Sequence, residues 1–387
     1  MRFLAAILVL AGVASADVPT FKPEQIDASL KIGYAVLLVD INADQKPDIV
    51  VCDKDRVIWF ENPTWKLRVI TEGKTKLDNV CIDAADIDGD GTLDLALGSG
   101  WQPGNTKDAS TLQWLKRGKS LDEPWEMFPI AYAEPTLHRM RFVEHDGKRM
   151  LLTVPLTGRG ATKEKNWAET GVKVELRSIP ADPTKPAWPA ETISDAPHVP
   201  HNFQFRGDKD GLLVASYEGL HLLLPAEKWK SRPLSEGDQT NPTSNRGCSE
   251  VKAGKLKSGG PIIATIEPWH GDKVVAYTQA EGTTDWKRSI VDDQLRWGHA
   301  VWCADLDGDG GDEIIVGVRD PFPGKAQSGV RVYRAGEDTK WSKTELDPGG
   351  VAVEDLAVAD LNADGKPDIV AVGRQTKNVK VYWNQGK

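Results

Sequence analysis

The chain has 387 residues, with 48 Lys and Arg against 57 Asp and Glu, giving a formal net charge of −9. It is long enough for two ordinary domains or one large repeat fold. No basic stripe of the kind nucleic acid requires is present, so no nucleic-acid partner is expected. No apolar run reaches the ~20 residues of a membrane-spanning helix, so no membrane span is expected either.

Residues 1–16 read as a secretory signal. Arg2 is the charged start, Phe3 to Val13 the short apolar run, and Ala14-Ser15-Ala16 a small-residue cleavage site. A secreted or periplasmic protein is expected, with residues 17–387 forming a single domain. Export permits disulfides among Cys52, Cys81, Cys248 and Cys303, whereas their strand-like surroundings equally suit small buried thiols. The spacing leaves both open.

Phe21-Lys-Pro-Glu-Gln-Ile26 then alternates apolar and polar residues, as a half-buried strand does. The same pattern returns behind Trp65, Trp125, Trp188, Trp229, Trp286 and Trp341. Between these segments runs a second repeat, with acidic or Asn side chains at its first, third, fifth and ninth positions. Its four copies are Asp40, Asn42, Asp44, Asp48; Asp86, Asp88, Asp90, Asp94; Asp305, Asp307, Asp309, Glu313; and Asp360, Asn362, Asp364, Asp368. Alternate oxygen ligands on a tight loop suit Ca2+, which takes about six to eight oxygens. Each copy leads into an aliphatic strand, so no EF-hand helix follows. Up to four structural Ca2+ ions are expected, and the fourteen loop carboxylates explain most of the acidity.

Thirteen residues after most of the repeated aromatics a new strand starts, at Tyr34, His138, His201, His299 and Glu354. Two further starts are less regular, near Asp78 to Val80 and near Cys248-Ser249. Seven starts at intervals of about fifty residues have the period of propeller blades. Each unit reads as four strands except the last, which ends at Val379-Lys-Val-Tyr-Trp383 with three. Phe21 to Ile26 supplies the missing outer strand. An all-β, seven-bladed β-propeller closed by the N-terminal strand is expected.

The acidic loops resemble those of FG-GAP/VCBS repeat proteins, which include integrin α-chain propellers and many secreted bacterial proteins. Three other segments resemble the propeller of aldos-2-ulose dehydratases: Trp297-Gly-His299-Ala-Val-Trp302-Cys-Ala-Asp305, Ile266-Glu-Pro-Trp-His270-Gly-Asp, and His201-Asn-Phe with Ala215-Ser-Tyr-Glu-Gly219. That resemblance implies lyase or dehydratase chemistry on keto-sugars, with a metal in the propeller.

Propeller geometry places the strand starts on the face opposite the acidic loops. His138, His201 and His299 share that position in three blades, with His198 in the same entry loop as His201 and His270 in a loop on the same face. Five of the seven histidines are thus expected at one mouth. His138, His201 and His299 around an open position would hold Zn2+ or another divalent metal. His270, Tyr34 and Tyr217 are the candidate bases. Glu218, Glu267, Glu354, Arg139, Arg246, Arg319 and Asp320 would bind hydroxyls or orient ligands, and Trp269, Trp297 and Trp101 would present flat faces to a sugar ring. The repeated tryptophans are expected to pack between blades. No Ser-His-Asp signature, phosphate loop or CxxC pair is present. The sequence favours a metal-assisted lyase or dehydratase on a keto-sugar or oxidised glycoside. A non-catalytic glycan-binding or cell-surface interaction propeller is the alternative. Oligomeric state is not legible.

Overall fold

In a computed structural model, residues 19–279, 282–320, 327–336 and 340–387 are described. The secretory signal read in residues 1–16 lies outside them. Seven antiparallel four-stranded sheets account for all the named strands. Blade 1 is Ala35–Val39, Asp48–Cys52, Arg56–Glu61 and Lys66–Glu72. Blades 2 to 6 repeat that order, with inner strands Cys81–Ala85, Leu137–His145, Asn202–Phe205, Val251–Lys255 and Gly298–Ala304. Blade 7 takes Val353–Ala359, Asp368–Gly373 and Val379–Asn384 from the C-terminal end of the chain and Phe21–Asp27 from near the start. Phe21 pairs with Asn384 and Glu24 with Val381.

The alternating strands bury one apolar set against each neighbouring blade, so the core is divided into slabs. One slab joins Val36, Ile49 and Phe60 of blade 1 to Val370, Val372 and Val381 of blade 7. Another joins Leu213 and Leu220 of blade 4 to Ile263 and Tyr277 of blade 5. The second strands are buried on both faces, and Ile314, Ile315 and Val316 are wholly inaccessible. Trp125, Trp188 and Trp229, which begin outer strands, are buried between blades as packing residues. All four cysteines are free thiols, three of them buried, which resolves the choice left open by the spacing.

Inner strands have no sheet neighbour toward the axis, so side chains satisfy their free N–H groups. Asp355 accepts from Val36 N across the closure (3.0 Å), Asp83 from Phe142 N (2.6 Å) and Gln204 from Ala253 N (2.6 Å). Each acceptor is the third residue of its strand and caps the next blade. The same tie thus recurs at three of the seven junctions between inner strands.

Candidate functional site

A recurrent irregularity aims side chains at that axis. In blade 3 the pairing shifts between Leu137 and Arg139, in blade 6 between Gly298 and Ala300, and in blade 7 between Val353 and Asp355. The extra residues are His138, His299 and Glu354, and a β-bulge re-aims the residue it leaves unpaired. In blade 5, Ser249 N donates to Ile266 O while Val251 pairs with Thr265, which leaves Glu250 in the same position. The approach is also shared. Asp78, Thr136, Val199 and Trp297 have φ of 65°, 48°, 47° and 58°, each two residues before an inward position. Non-glycine residues adopt that conformation at a cost of roughly 1–2 kcal/mol, so surrounding structure enforces the entry geometry.

Four imidazoles meet in a cavity of roughly 150 Å3, also lined by Tyr34, Trp101, Trp269, Arg139, Arg319, Glu354 and Arg374. Ring centroids lie 4.6 Å apart for His138 and His201, 4.4 Å for His201 and His270, and 4.6 Å for His270 and His299. Hydrogen bonding sorts their roles. His138 donates from Nδ1 to His201 O (3.1 Å), and its Nε2 faces Arg139 Nη1 at 3.3 Å. Both its nitrogens are engaged. His299 donates from Nδ1 to Glu354 O (2.6 Å) and His201 from Nδ1 to the Glu250 carboxylate (2.5 Å), so each keeps an Nε2 lone pair. His270 Nε2 approaches His201 Nε2 to 2.7 Å, while its Nδ1 is buried without a partner.

Ring nitrogens of His201, His270 and His299 all fall within 4.8 Å of one another, a donor set that fits a divalent ion. The sequence pattern grouped His138 with His201 and His299 and treated His270 as a base. In the structure, the Arg139 contact occupies His138, and His270 stands in the triad. Burial, reinforced by nearby guanidinium and imidazole groups, pushes all four pKa values well below the ordinary histidine range. That direction favours the neutral ring, the form a metal ligand requires.

The remaining expected residues divide between the cavity and its surroundings. Tyr34 lines the cavity and donates to Asp78 (3.0 Å). Burial and that carboxylate raise its pKa, so the phenol stays protonated. Trp269 stacks on His270 with centroids 3.8 Å apart, and Arg319 lies over Trp297 at 5.3 Å. Glu354 Oε1 accepts from Arg374 (2.7 Å), while Oε2 is buried without a hydrogen-bond partner, 3.6 Å from Arg319. Burial raises the Glu354 pKa against the pull of three arginines.

Tyr217, Glu218, Glu267, Arg246 and His198 do not line the cavity. Glu218 accepts from His198 Nδ1 (2.9 Å) and Ser216 (2.8 Å), and Tyr217 packs with Leu156 and Val199 beneath Arg246. Glu267 binds Arg288 and Tyr277 inside blade 5. Four histidines therefore meet, and not five. Glu250 and Arg374 were missed. Glu250 occupies the inward position of blade 5, but the insertion between Trp229 and that strand hides it from a thirteen-residue spacing.

On the opposite face, the four acidic loops share one backbone form. Their fourth and sixth residues have positive φ in every copy: Ala43 and Gln45, Gly89 and Gly91, Gly308 and Gly310, Ala363 and Gly365. That conformation turns the side chains of positions one, three and five inward. Ligand oxygens of Asp86, Asp88 and Asp90, and of Asp305, Asp307 and Glu313, lie within 4.8 Å of one another. Ninth-position carboxylates anchor the loop base. Asp48 accepts from Ile41 N (2.9 Å) and Asp368 from Leu361 N (3.0 Å). Burial pushes Asp48 and Asp94 up to about 6 and Glu313 to about 7, a desolvation cost that a bound cation would offset. Two of the loops are also tied to a neighbouring blade. Asn384 Nδ2 donates to Leu306 O (2.8 Å) and Asn62 Nδ2 to Leu361 O (2.7 Å).

Comparisons with known proteins match two different parts of the chain. The FG-GAP-like repeat family matches residues 40–97 and 305–371. The aldos-2-ulose dehydratase β-propeller domain matches residues 109–280. Aldos-2-ulose dehydratase of Phanerodontia chrysosporium is 24% identical over 402 aligned positions, covering 90% of this chain and 43% of the relative. The chain thus spans less than half the length of that relative. Among solved structures, a chain of the mitotic checkpoint complex aligns over all of both chains (TM-score 0.59, 12% identity). BBS1N in complex with ARL6DN aligns over 95% of this chain and 97% of its own (TM-score 0.56, 13% identity). At such identities these two show the fold alone. The chain is a seven-bladed β-propeller with FG-GAP-like repeats, similar to the propeller domain of aldos-2-ulose dehydratase.

Proposed function

We propose that the protein is an exported, calcium-stabilised propeller acting as a metal-assisted carbohydrate lyase or dehydratase on a keto-sugar or oxidised glycoside. The supporting observation is the convergence of His201, His270 and His299 on one buried cavity, in a chain similar to an aldos-2-ulose dehydratase. Those imidazoles would hold Zn2+ or another divalent ion, which would supply Lewis acidity toward a sugar carbonyl. The side chains do the rest. Arg139, Arg319 and Arg374 bring three guanidinium charges to the cavity, where they stabilise negative charge developing on the carbonyl oxygen. Glu354 Oε2, buried and without a hydrogen-bond partner, takes the proton next to that carbonyl. Tyr34 returns a proton to the departing β-oxygen, and Trp269 and Trp101 wall the ring.

The four acidic loops hold Ca2+ away from this chemistry and stabilise their blades. A binding propeller without turnover is the second reading, favoured by the FG-GAP-like match. It accounts for the loops but gives no role to the unpartnered His270 nitrogen. Elemental analysis before and after mild chelation tests the choice. About one tightly held transition metal per chain, alongside calcium, supports the lyase. Calcium alone, with no Zn2+ retained when it is supplied, sinks it.

A further inference from the structure

A second cavity, roughly 230 Å3, lies on the propeller axis beside the histidine cavity, and Val80 and Arg139 line both. The charged groups facing it are Arg139, Arg141, Glu250, Lys252 and Asp355, all in inner strands or immediately before one. Its carboxylates are engaged. Asp355 accepts from Val36 N and Leu356 N (both 3.0 Å), and Glu250 from Asn202 and His201 (both 2.5 Å). Arg141 donates to Ile82 O (3.1 Å), and Arg139 to His138 O (3.2 Å).

Lys252 differs from these groups. Its Nζ sits 4.5 Å from the Trp302 ring centroid, and among the described residues it donates no hydrogen bond. Burial, and then the Arg141 guanidinium, push its pKa down to about 8, against the opposing pull of Asp355, Glu250 and the Cys303 thiol. A lysine desolvated beside another cation holds free amine near neutral pH, which makes it nucleophilic. The side chain is half-buried and lines the cavity, so its amine is reachable from there.

We propose that Lys252 is a reactive amine and that the axial cavity is a site where a small aldehyde or ketone condenses with it. The nitrogen lone pair attacks the carbonyl carbon to form a C–N bond. The carbonyl oxygen then leaves as water, carrying the two protons the nitrogen gives up, and an imine remains. No oxidant or reductant is consumed, and the step is independent of the histidine triad and of any metal there.

The test uses the full-length wild-type protein with glycolaldehyde and cyanoborohydride at about pH 7.5, followed by peptide mass mapping. At that pH, an amine with pKa near 8 holds roughly two hundred times the free base of an ordinary lysine. Lys252 should be the first and dominant site to carry the reduced two-carbon adduct, with a labelling rate that rises through about pH 8. In Lys252→Arg, only slow labelling of exposed lysines should remain. The proposal is overturned if exposed lysines react while Lys252 does not, or if Lys252 labels only at the pH of ordinary lysines. Since the readout is a mass at one residue, it stands or falls separately from lyase turnover.

Discussion

Blades 6, 7, 1 and 2 form one continuous arc of the ring, and blades 3, 4 and 5 form the other. The first arc carries an acidic loop in every blade and includes the sheet in which Phe21–Asp27 pairs with Val379–Asn384. The second carries none. Its blade 3 turn is the two-residue Asp146-Gly147, with φ of 49° and 69°, a geometry that closes a hairpin without an ion. Blades 3 and 4 are joined there by His145 Nδ1 donating to Asp208 (2.6 Å). Three of the four cavity histidines come from this second arc, and only His299 comes from the first. Similar backbones thus do two things: one arc gathers carboxylates at a far turn, and the other brings most of the imidazoles to the axis.

The two arcs should separate under substitution. Glu354→Gln removes the proposed proton acceptor but no imidazole. It should lower kcat for formation of the unsaturated product by ~10²–10⁴ while leaving metal content unchanged. Loss of the metal as well would make Glu354 a structural residue. Calcium chelation should act on the first arc only. Each site saturated at about one hundred times its Kd contributes about 2.7 kcal/mol of stability, so the thermal midpoint should fall with chelator and recover with Ca2+. Asp88→Ala or Asp307→Ala should remove part of that response, and a midpoint indifferent to Ca2+ would dismiss the loops as ion sites.

Smaller effects refine the comparison. Glu250 fixes the His201 ring from behind, so Glu250→Gln should weaken retention of the transition metal by about 10–100-fold. Calcium response should be unaffected. Asp208→Ala removes the tie between blades 3 and 4, and half-exposed ion pairs of this kind contribute roughly 0.2–1 kcal/mol. The Asp208 pKa is lowered chiefly by its hydrogen bond from His145. Its contribution is therefore present above the ordinary aspartate range and is lost as pH falls through the folded-state value. Denaturation curves should differ between wild type and variant at neutral pH and converge in acid. A gap that persists in strong acid would assign the effect to packing.

Much of this architecture was legible because repeats fix registers. Trp125, Trp188, Trp286 and Trp341 stand at outer strands, and counting from them places His138, His201, His299 and Glu354 at the inward position. The count fails where a loop has grown. Blade 5 begins after an insertion, so Glu250 was invisible although it is the equivalent residue. What register cannot supply is which nitrogen is free. His138 and His299 occupy the same bulge, yet the neighbouring Arg139 engages His138 and leaves the third place to His270, from a different loop. Nor does sharing a face decide sharing a cavity. Tyr217 and Glu218 are next to one another in sequence and on the expected face, but their polar atoms are used by Asn166, His198 and Ser216. Lys252 was overlooked because an isolated lysine in a strand has no sequence signature.

The most direct test of the central claim measures two quantities on the same samples: transition-metal content, and the absorbance of unsaturated ketone formed from an aldos-2-ulose. Wild type should hold about one transition metal per chain and make product, whereas His299→Ala and His201→Ala should lose both and keep their calcium-dependent thermal midpoint. Full product formation by either variant, or product formed by wild type stripped of transition metal, would contradict the account.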